Sequence, residues 1–209
     1  MLEDKYLITP TLLNSFNYFM NSESETALED FSKIIKKEFT TNKYVEAGNI
    51  WENRVCHPSF KEDNKLVIEV ADKIKYGYFQ QPLKKWIVVN NIKILLYGKA
   101  DVVMYDKIFD IKTTSSDYQT NYYYNSLQHK IYMYCTGIKN FEYLITKIKI
   151  KEQDNKAVDV EPVENFGEFY AWQDKYESDI FDCINNFFNF LKSNEELKQS
   201  FNELWKTKY

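Results

Sequence analysis

The sequence predicts a mixed α/β fold, a central β-sheet flanked by helices with further helices at both ends. Two observations carry this. Apolar residues recur at helical spacing through about residue 76, and the period changes to strand alternation over about 85–112. A helical stretch and one more β-rich stretch follow, so the order is helix, strands, helix, strand. The 209 residues suit a single domain spanning 1–209, with a core over about 6–151 and a helical extension over about 162–209. Collagen-like and low-complexity classes are excluded by 5 Gly and 4 Pro, and 44% hydrophobic residues are enough for a core.

Thr9-Pro10 reads as an N-cap with proline in the first turn, opening a helix to about Phe19. Ser22 or Ser24 starts a second, with Leu28, Phe31, Ile34 and Ile35 on one face. A third spans Tyr44 to Val55 before His57-Pro58, and 62–76 forms a fourth, with a connector to Pro82. Lys85–Val89 and Ile92–Leu96 flank Asn90-Asn91 as a hairpin, and Gly98 marks a bend or bulge. Residues 99–105 and 107–112 form a second strand pair about Asp106-Lys107. A helix over 121–135 ends near Gly137, Phe141–Lys151 is a strand, and helices cover 164–192 and 194–206.

The net charge of −4, with Arg54 the only arginine, excludes a basic nucleic-acid coat. It leaves room for a site that gathers carboxylates around a divalent cation. The abundance of Lys, Asn, Ile, Tyr and Phe reads as the coding bias of an AT-rich genome. Cys56, Cys135 and Cys183 are odd in number and far apart, which argues against a disulfide framework or structural zinc. The first residues lack a signal-peptide pattern, and no apolar run is long enough to span a membrane, so a cytoplasmic location is expected.

Chemistry concentrates in the stretch from Gly98 to Thr113. A turn centred on Asp106-Lys107 pairs Tyr105 with Ile108, Val103 with Asp110 and Asp101 with Lys112. Asp101, Val103, Asp110 and Lys112 then share one face, and Ala100, Val102, Met104, Phe109 and Ile111 the other. Like charges on neighbouring strands cost about 0.2–1 kcal/mol, a cost that a divalent cation would remove. Spacing alone equally describes a charged hairpin face turned to solvent.

Gly-Lys-Ala-Asp at 98–101, Asp-Ile-Lys at 110–112 and a helix carrying Gln128 and Tyr132 together resemble the PD-(D/E)XK nuclease superfamily, most closely its RecB-type and phage-exonuclease branches. Residues 7–19 resemble the opening helix of RecB-type domains, and the likeness covers about residues 6–150. It implies a restriction-endonuclease-like αβββαβ core and a metal-dependent nuclease, most simply a phage or mobile-element exonuclease in recombination or repair. It further implies one or two Mg²⁺ or Mn²⁺ ions, DNA as substrate and, in some members, a single-strand annealing protein as partner.

By the same resemblance Glu52, in a G-x-x-x-E arrangement with Gly48, matches the helix-borne metal ligand, with Glu46 as rival on another face. Asp101 and Asp110 match the metal-binding acids, Lys112 the lysine, and the Ile111 carbonyl a further ligand. Gln128 and Tyr132 match the Q-x-x-x-Y element that positions substrate, and Thr113 and Thr114 lie where hydroxyls approach the scissile phosphate. Tyr132 in the core with Gln128 capping backbone is the bland alternative. Ser126 is a weaker candidate, and His129 reads as a partly exposed surface residue. The four cysteines of iron–sulfur members have no counterpart, so no cluster is expected. Lys33, Lys36, Lys37, Lys84, Lys85, Lys147, Lys149 and Lys151 either line a DNA path or form solvated edges. A non-cleaving nuclease-fold module that binds DNA is the competing function, and an α/β protein with a coincidental motif is the third. Oligomeric state stays open.

Overall fold

The computed structural model describes residues 5–207. Strand β1 (Lys5–Ile8) leads into α1 (Pro10–Asn21), where the Thr9 hydroxyl accepts from the Leu12 N–H at 3.2 Å. Helices α2 (Ala27–Ile35), α3 (Lys43–Cys56) and α4 (Lys65–Ile74) follow. The capping side chains of α3 and α4 are Asn42 and Asn64. Next come the antiparallel strands β2 (Tyr78–Val89), β3 (Ile92–Val103) and β4 (Lys107–Thr114). Helix α5 (Leu127–Thr136) crosses over to β5 (Asn140–Gln153), which runs parallel to β4. Strand β6 (Lys156–Ala171) returns antiparallel along β5, and α6 (Lys175–Ser193) and α7 (Glu195–Leu204) complete the order.

The six strands form one mixed sheet. Alternation along the strands feeds two cores. Trp51, Val55, Val70 and Ile74 of α3 and α4 pack on Val102, Phe109, Ile111 and Leu144. The larger core joins Ile108, Phe141, Tyr143 and Ile145 to α1, α2, α5, α6 and α7. Phe16, Phe31, Phe187 and Phe190 interlock there with ring centroids 5.5–6.3 Å apart, which ties α1 and α2 to α6. Among the described residues no helix is long and apolar enough to cross a membrane.

Strand β3 has an unusual set of neighbours. One edge is paired with β2 along its length. The other edge is shared: β1 runs parallel to Lys93–Leu96, and β4 pairs at Val102 and Val103. Among the described residues no ladder partner covers Tyr97–Asp101 on that edge. Side chains fill the gap, and the candidate site forms there.

Several expectations need correction. The residues placed in a connector before Pro82 begin β2 at Tyr78. Gly98 marks no bend, because β3 runs straight through it, with Gly98 opposite Leu83. The hairpin turn holds Tyr105 and Asp106, so Val103 pairs with Ile108 and Val102 with Phe109. That is a slip of two residues from the expected register. An even slip preserves the faces, and it brings Asp101 to the level of Asp110. Ala100 departs from its expected face and packs with Ile131 and Tyr132. Helix α5 is shorter than expected, because Ser126 caps it and Asn121 turns at φ 64°. Residues 164–171 are strand, not helix, and α6 begins only at Lys175. His129 is fully buried, stacked on Tyr170 at 4.3 Å.

A Cβ on Gly98 would stand 2.3 Å from the Tyr132 ring. Gly98→Ala is therefore expected to destabilise the fold by about 1–3 kcal/mol. Tyr132→Leu should relieve much of that loss in the double variant, as read by urea unfolding. Equal losses with and without the ring would contradict the contact.

Candidate active site

The gap beside β3 is closed from three directions. From β3 itself, the Asp101 carboxylate reaches β4 and accepts the Ile111 N–H at 2.7 Å. It thus replaces a ladder hydrogen bond and satisfies a buried donor. From α5, the Tyr132 hydroxyl donates to the Lys99 carbonyl at 2.8 Å. One turn earlier, Gln128 donates from Nε2 to Asp110 Oδ1 at 2.7 Å and to the Tyr132 oxygen at 3.3 Å. Residues four apart share a helix face, so this pair meets the strands together. From β4, Lys112 Nζ contacts Asp110 Oδ2.

Helix α5 is itself held by α1. Asn14 Oδ1 accepts the Leu127 N–H at 2.7 Å, and Asn14 Nδ2 donates to Ser126 Oγ at 3.2 Å. The Ser126 hydroxyl caps the helix on the Gln128 N–H at 3.2 Å. The role of Ser126 is therefore to set the position of Gln128.

Glu52 arrives on α3 and is linked to the others through Gln80. The Gln80 amide donates to Glu52 Oε1, and its Nε2 lies 3.5 Å from Asp101 Oδ1. Gln80 has a positive φ of 53° and falls between the ladder pairs Phe79–Val102 and Gln81–Ala100. That conformation is costly for a non-glycine residue. Its place in the presumed connector gave no signal of this role. Glu46 faces elsewhere and accepts the Ala157 N–H at 3.0 Å.

Thr113 points away from Lys112, as alternation requires. Its hydroxyl lies beneath Gly48, where an added Cβ would meet it at 3.6 Å, an ordinary contact. With Thr114 and Tyr44 it lines a small cavity of about 210 Å³. Asp101, Asp110, Lys112, Gln128 and Tyr132 thus meet directly, Glu52 joins through Gln80, and Thr113 lies on the opposite face of β4.

Burial dominates the electrostatics. Asp110 is 1% exposed. Desolvation pushes the Asp110 carboxyl upward, against the pull of Lys112. Desolvation and then repulsion from Asp110 push Asp101 up to about 8. The same two causes raise Glu52. For Lys112 burial acts to lower the pKa, but Asp110 and Asp101 outweigh it and the ammonium is held above its usual range. Lys112 is a fixed cation here, not a base. Tyr123, stacked on Tyr143 at 4.3 Å, is pushed up to about 12 by burial.

The donor set is of hard oxygens, which suits Mg²⁺ or Mn²⁺. Asp110 Oδ2 is buried and its one polar contact among the described residues is the Lys112 ammonium, so a cation would take this oxygen only as Lys112 gives it up. Among the described residues, no three His, Cys, Asp or Glu side chains converge closely enough to hold a metal as they stand. Lys112 occupies Asp110, and Gln80 separates Glu52 from Asp101. Two carboxylates plus a substrate phosphate form a common Mg²⁺ site, so the residues fit such an ion. Engagement of Glu52 would need Gln80 to move.

Most lysines considered for a DNA path are engaged. Lys36 pairs with Glu196, Lys147 with Asp117, Lys151 with Asp159, and Lys85 donates to the Tyr134 carbonyl. Arg54 is committed to Glu62 through Nε and Nη2, both at 2.9 Å.

No family model and no curated protein matches the sequence. Solved structures do match. The alkaline exonuclease LHK-Exo of Laribacter hongkongensis aligns over 94% of both chains, at 11% identity and TM-score 0.53. A phage-related exonuclease from Haemophilus somnus 129PT aligns over 92% of this chain and 93% of its own, at 11% identity and TM-score 0.51. LHK-Exo in complex with dAMP aligns at 13% identity and TM-score 0.50. The chain therefore shares the fold of these exonuclease structures.

The carboxyl groups make a pH prediction. A carboxyl with a raised folded-state pKa stabilises the fold below its unfolded pKa, and that contribution is lost as pH rises through the folded pKa. The metal-free protein should lose stability between about pH 4 and pH 8. Asp101→Asn, which keeps an acceptor for Ile111, should flatten that slope and raise stability at pH 8 by at least ~1 kcal/mol. Urea melts at several pH values in EDTA would measure it, and an unchanged slope would refute it.

Proposed function

We propose that this protein is a metal-dependent deoxyribonuclease, an exonuclease of a phage or mobile element that acts in recombination or repair. The observation that supports this most is the meeting of Asp101, Asp110, Lys112, Gln128 and Tyr132 at the uncovered edge of β3. A structural α/β protein has no need of a buried carboxylate, a half-buried carboxylate and a half-buried lysine in that gap. The exonuclease titles of the fold neighbours support the same reading.

Asp101, Asp110 and the Ile111 carbonyl, with Glu52 once Gln80 moves, would hold Mg²⁺ or Mn²⁺. The ion would lower the pKa of a water and neutralise charge on the scissile phosphate. Lys112 remains protonated under its two carboxylates. Its ammonium orients the attacking water and offsets charge growing on the phosphate oxygens. Gln128 fixes Asp110 Oδ1, while Oδ2 is held by Lys112 until an ion displaces that ammonium. Tyr132 spends its hydroxyl on the Lys99 carbonyl and Gln128, so it acts as a positioning residue. Thr113 serves substrate binding only where a phosphate reaches the α3 side of β4.

The committed Arg54 and the engaged lysines favour one second reading, a nuclease-fold accessory that binds DNA without cutting it.

End-labelled linear duplex beside closed circular DNA, in Mg²⁺ or Mn²⁺, separates the two readings. The linear substrate should be degraded and the circle spared, and EDTA should stop the reaction. Asp110→Ala and Lys112→Ala should each lose at least ~10²–10³-fold in rate. Full activity in either variant would refute the assignment. A folded protein that cuts neither substrate but binds DNA would support the accessory reading, and one that cuts only with a partner added would not.

A further inference from the structure

A cleft of about 1010 Å³ opens beside Gln128, walled by α1, residues 122–126 and α6. Gln128 lines it and donates to Asp110, so the cleft adjoins the carboxylate site with Gln128 at the border. Its chemistry differs from that of the carboxylate site.

Three tyrosines line this cleft with exposed rings, Tyr18 at 63%, Tyr122 at 73% and Tyr124 at 46% exposure, the last with the Lys175 ammonium over its ring at 5.5 Å. The backbone that carries two of them is fixed from beneath. The buried Glu168 carboxylate accepts the N–H groups of Tyr122 at 2.8 Å and Tyr123 at 3.3 Å, together with the hydroxyls of Tyr118 and Tyr170. Tyr123 turns inward and stacks on Tyr143, while the rings on either side of it face outward. Lys175 holds Tyr124 by a hydrogen bond to its hydroxyl at 3.2 Å.

The lining carries no net charge, since Lys130 and Lys175 are balanced by Asp179 and Asp182. Lys130 is moreover paired with Asp179 at 2.7 Å. Such a surface cannot hold a strand by its phosphates. Open rings and neutral amides, among them Asn21 and Asn186, match unstacked bases instead. Every base has a π-face to stack on a ring and polar edges for an amide.

We propose that this cleft is a base-binding channel for a single DNA strand on its way to the carboxylate site. Bases seat against Tyr18, Tyr122 and Tyr124, and the backbone leaves toward Gln128. The proposal rests on the nuclease reading and adds a substrate form: a single strand or a frayed end, held by its bases.

Binding can be read without cleavage, in EDTA, by fluorescence anisotropy. The probes are an oligothymidylate of about 20 nucleotides, an abasic oligonucleotide of equal length, and a blunt duplex. The oligothymidylate should bind at least ~10-fold more tightly than either of the others. Its affinity should fall only shallowly with salt, with a logarithmic slope of about −1. Tyr122→Ala/Tyr124→Ala should lower oligothymidylate affinity at least ~10-fold and leave abasic binding within about twofold. Circular dichroism would verify that the double variant is folded. Equal affinity for the abasic strand, a steep salt slope, unchanged binding by the double variant, or no binding of the oligothymidylate would each overturn the proposal. Cleavage in Mg²⁺ or Mn²⁺ is scored separately. A protein that cuts DNA but ignores bases keeps its nuclease reading and loses this one, and one that binds through Tyr122 and Tyr124 without cutting does the reverse.

Discussion

One edge of one strand organises this molecule. β3 is paired along one side, but β1 and β4 divide the other and leave Tyr97–Asp101 uncovered. Buried backbone groups without partners cost about 1–3 kcal/mol each. The fold must therefore bring side chains to that edge, and polar side chains suited to hydrogen-bond backbone are also suited to chemistry. Tyr132 covers the Lys99 carbonyl, and Asp101 takes the Ile111 N–H. Gly98 follows from the same constraint, since only a residue without a Cβ lets the Tyr132 ring approach the strand so closely. The site is what fills a break in the sheet.

Filling the break with carboxylates has an electrostatic cost. Asp101 and Asp110 are desolvated and repel one another, and Lys112 offsets only part of this. Gln80 keeps Glu52 and Asp101 apart by an amide between them, at the expense of a left-handed backbone. Each compensation is local and made by side chains, which is what the proposed cation site would require. The permanent part of the design lies one layer out, where Asn14 and Ser126 fix the start of α5 by ordinary hydrogen bonds.

The motif residues were legible because their spacing is tied to strand and helix periods. Asp110 and Lys112 must share a face, Gln128 and Tyr132 must share another, and even the two-residue slip of the hairpin left those relations intact. Gln80 was not legible, because nothing in its neighbourhood marks a left-handed residue inside a strand. Strand β6 was hidden for a different reason. Pro162 and Gly167 are poor strand formers, and they are tolerated because β6 is an edge strand with a register shift beside Pro162. Asp154-Asn155, both with positive φ, was the available signal for its hairpin. His129 looked like a surface residue by type, yet it lies on the inward face of α5 among Tyr143, Tyr170 and Tyr176. Only the tertiary arrangement determines that.

The paired lysines and the tyrosine cleft bear on one question: how a chain of net charge −4 would handle the polyanion that the proposed function assigns to it. Most of its candidate cations are tied to carboxylates, and its single arginine is doubly bonded to Glu62. Long-range attraction to phosphate is correspondingly weak. Under the proposed nuclease reading, contact with DNA would then come from short-range terms, of which ring stacking is one that this surface supplies. Stacking requires bases that are already unpaired, so chain ends and single strands satisfy it and an intact duplex does not. A carboxylate site at the end of a base-binding cleft would thus select its substrate by strandedness before any phosphate reaches Lys112.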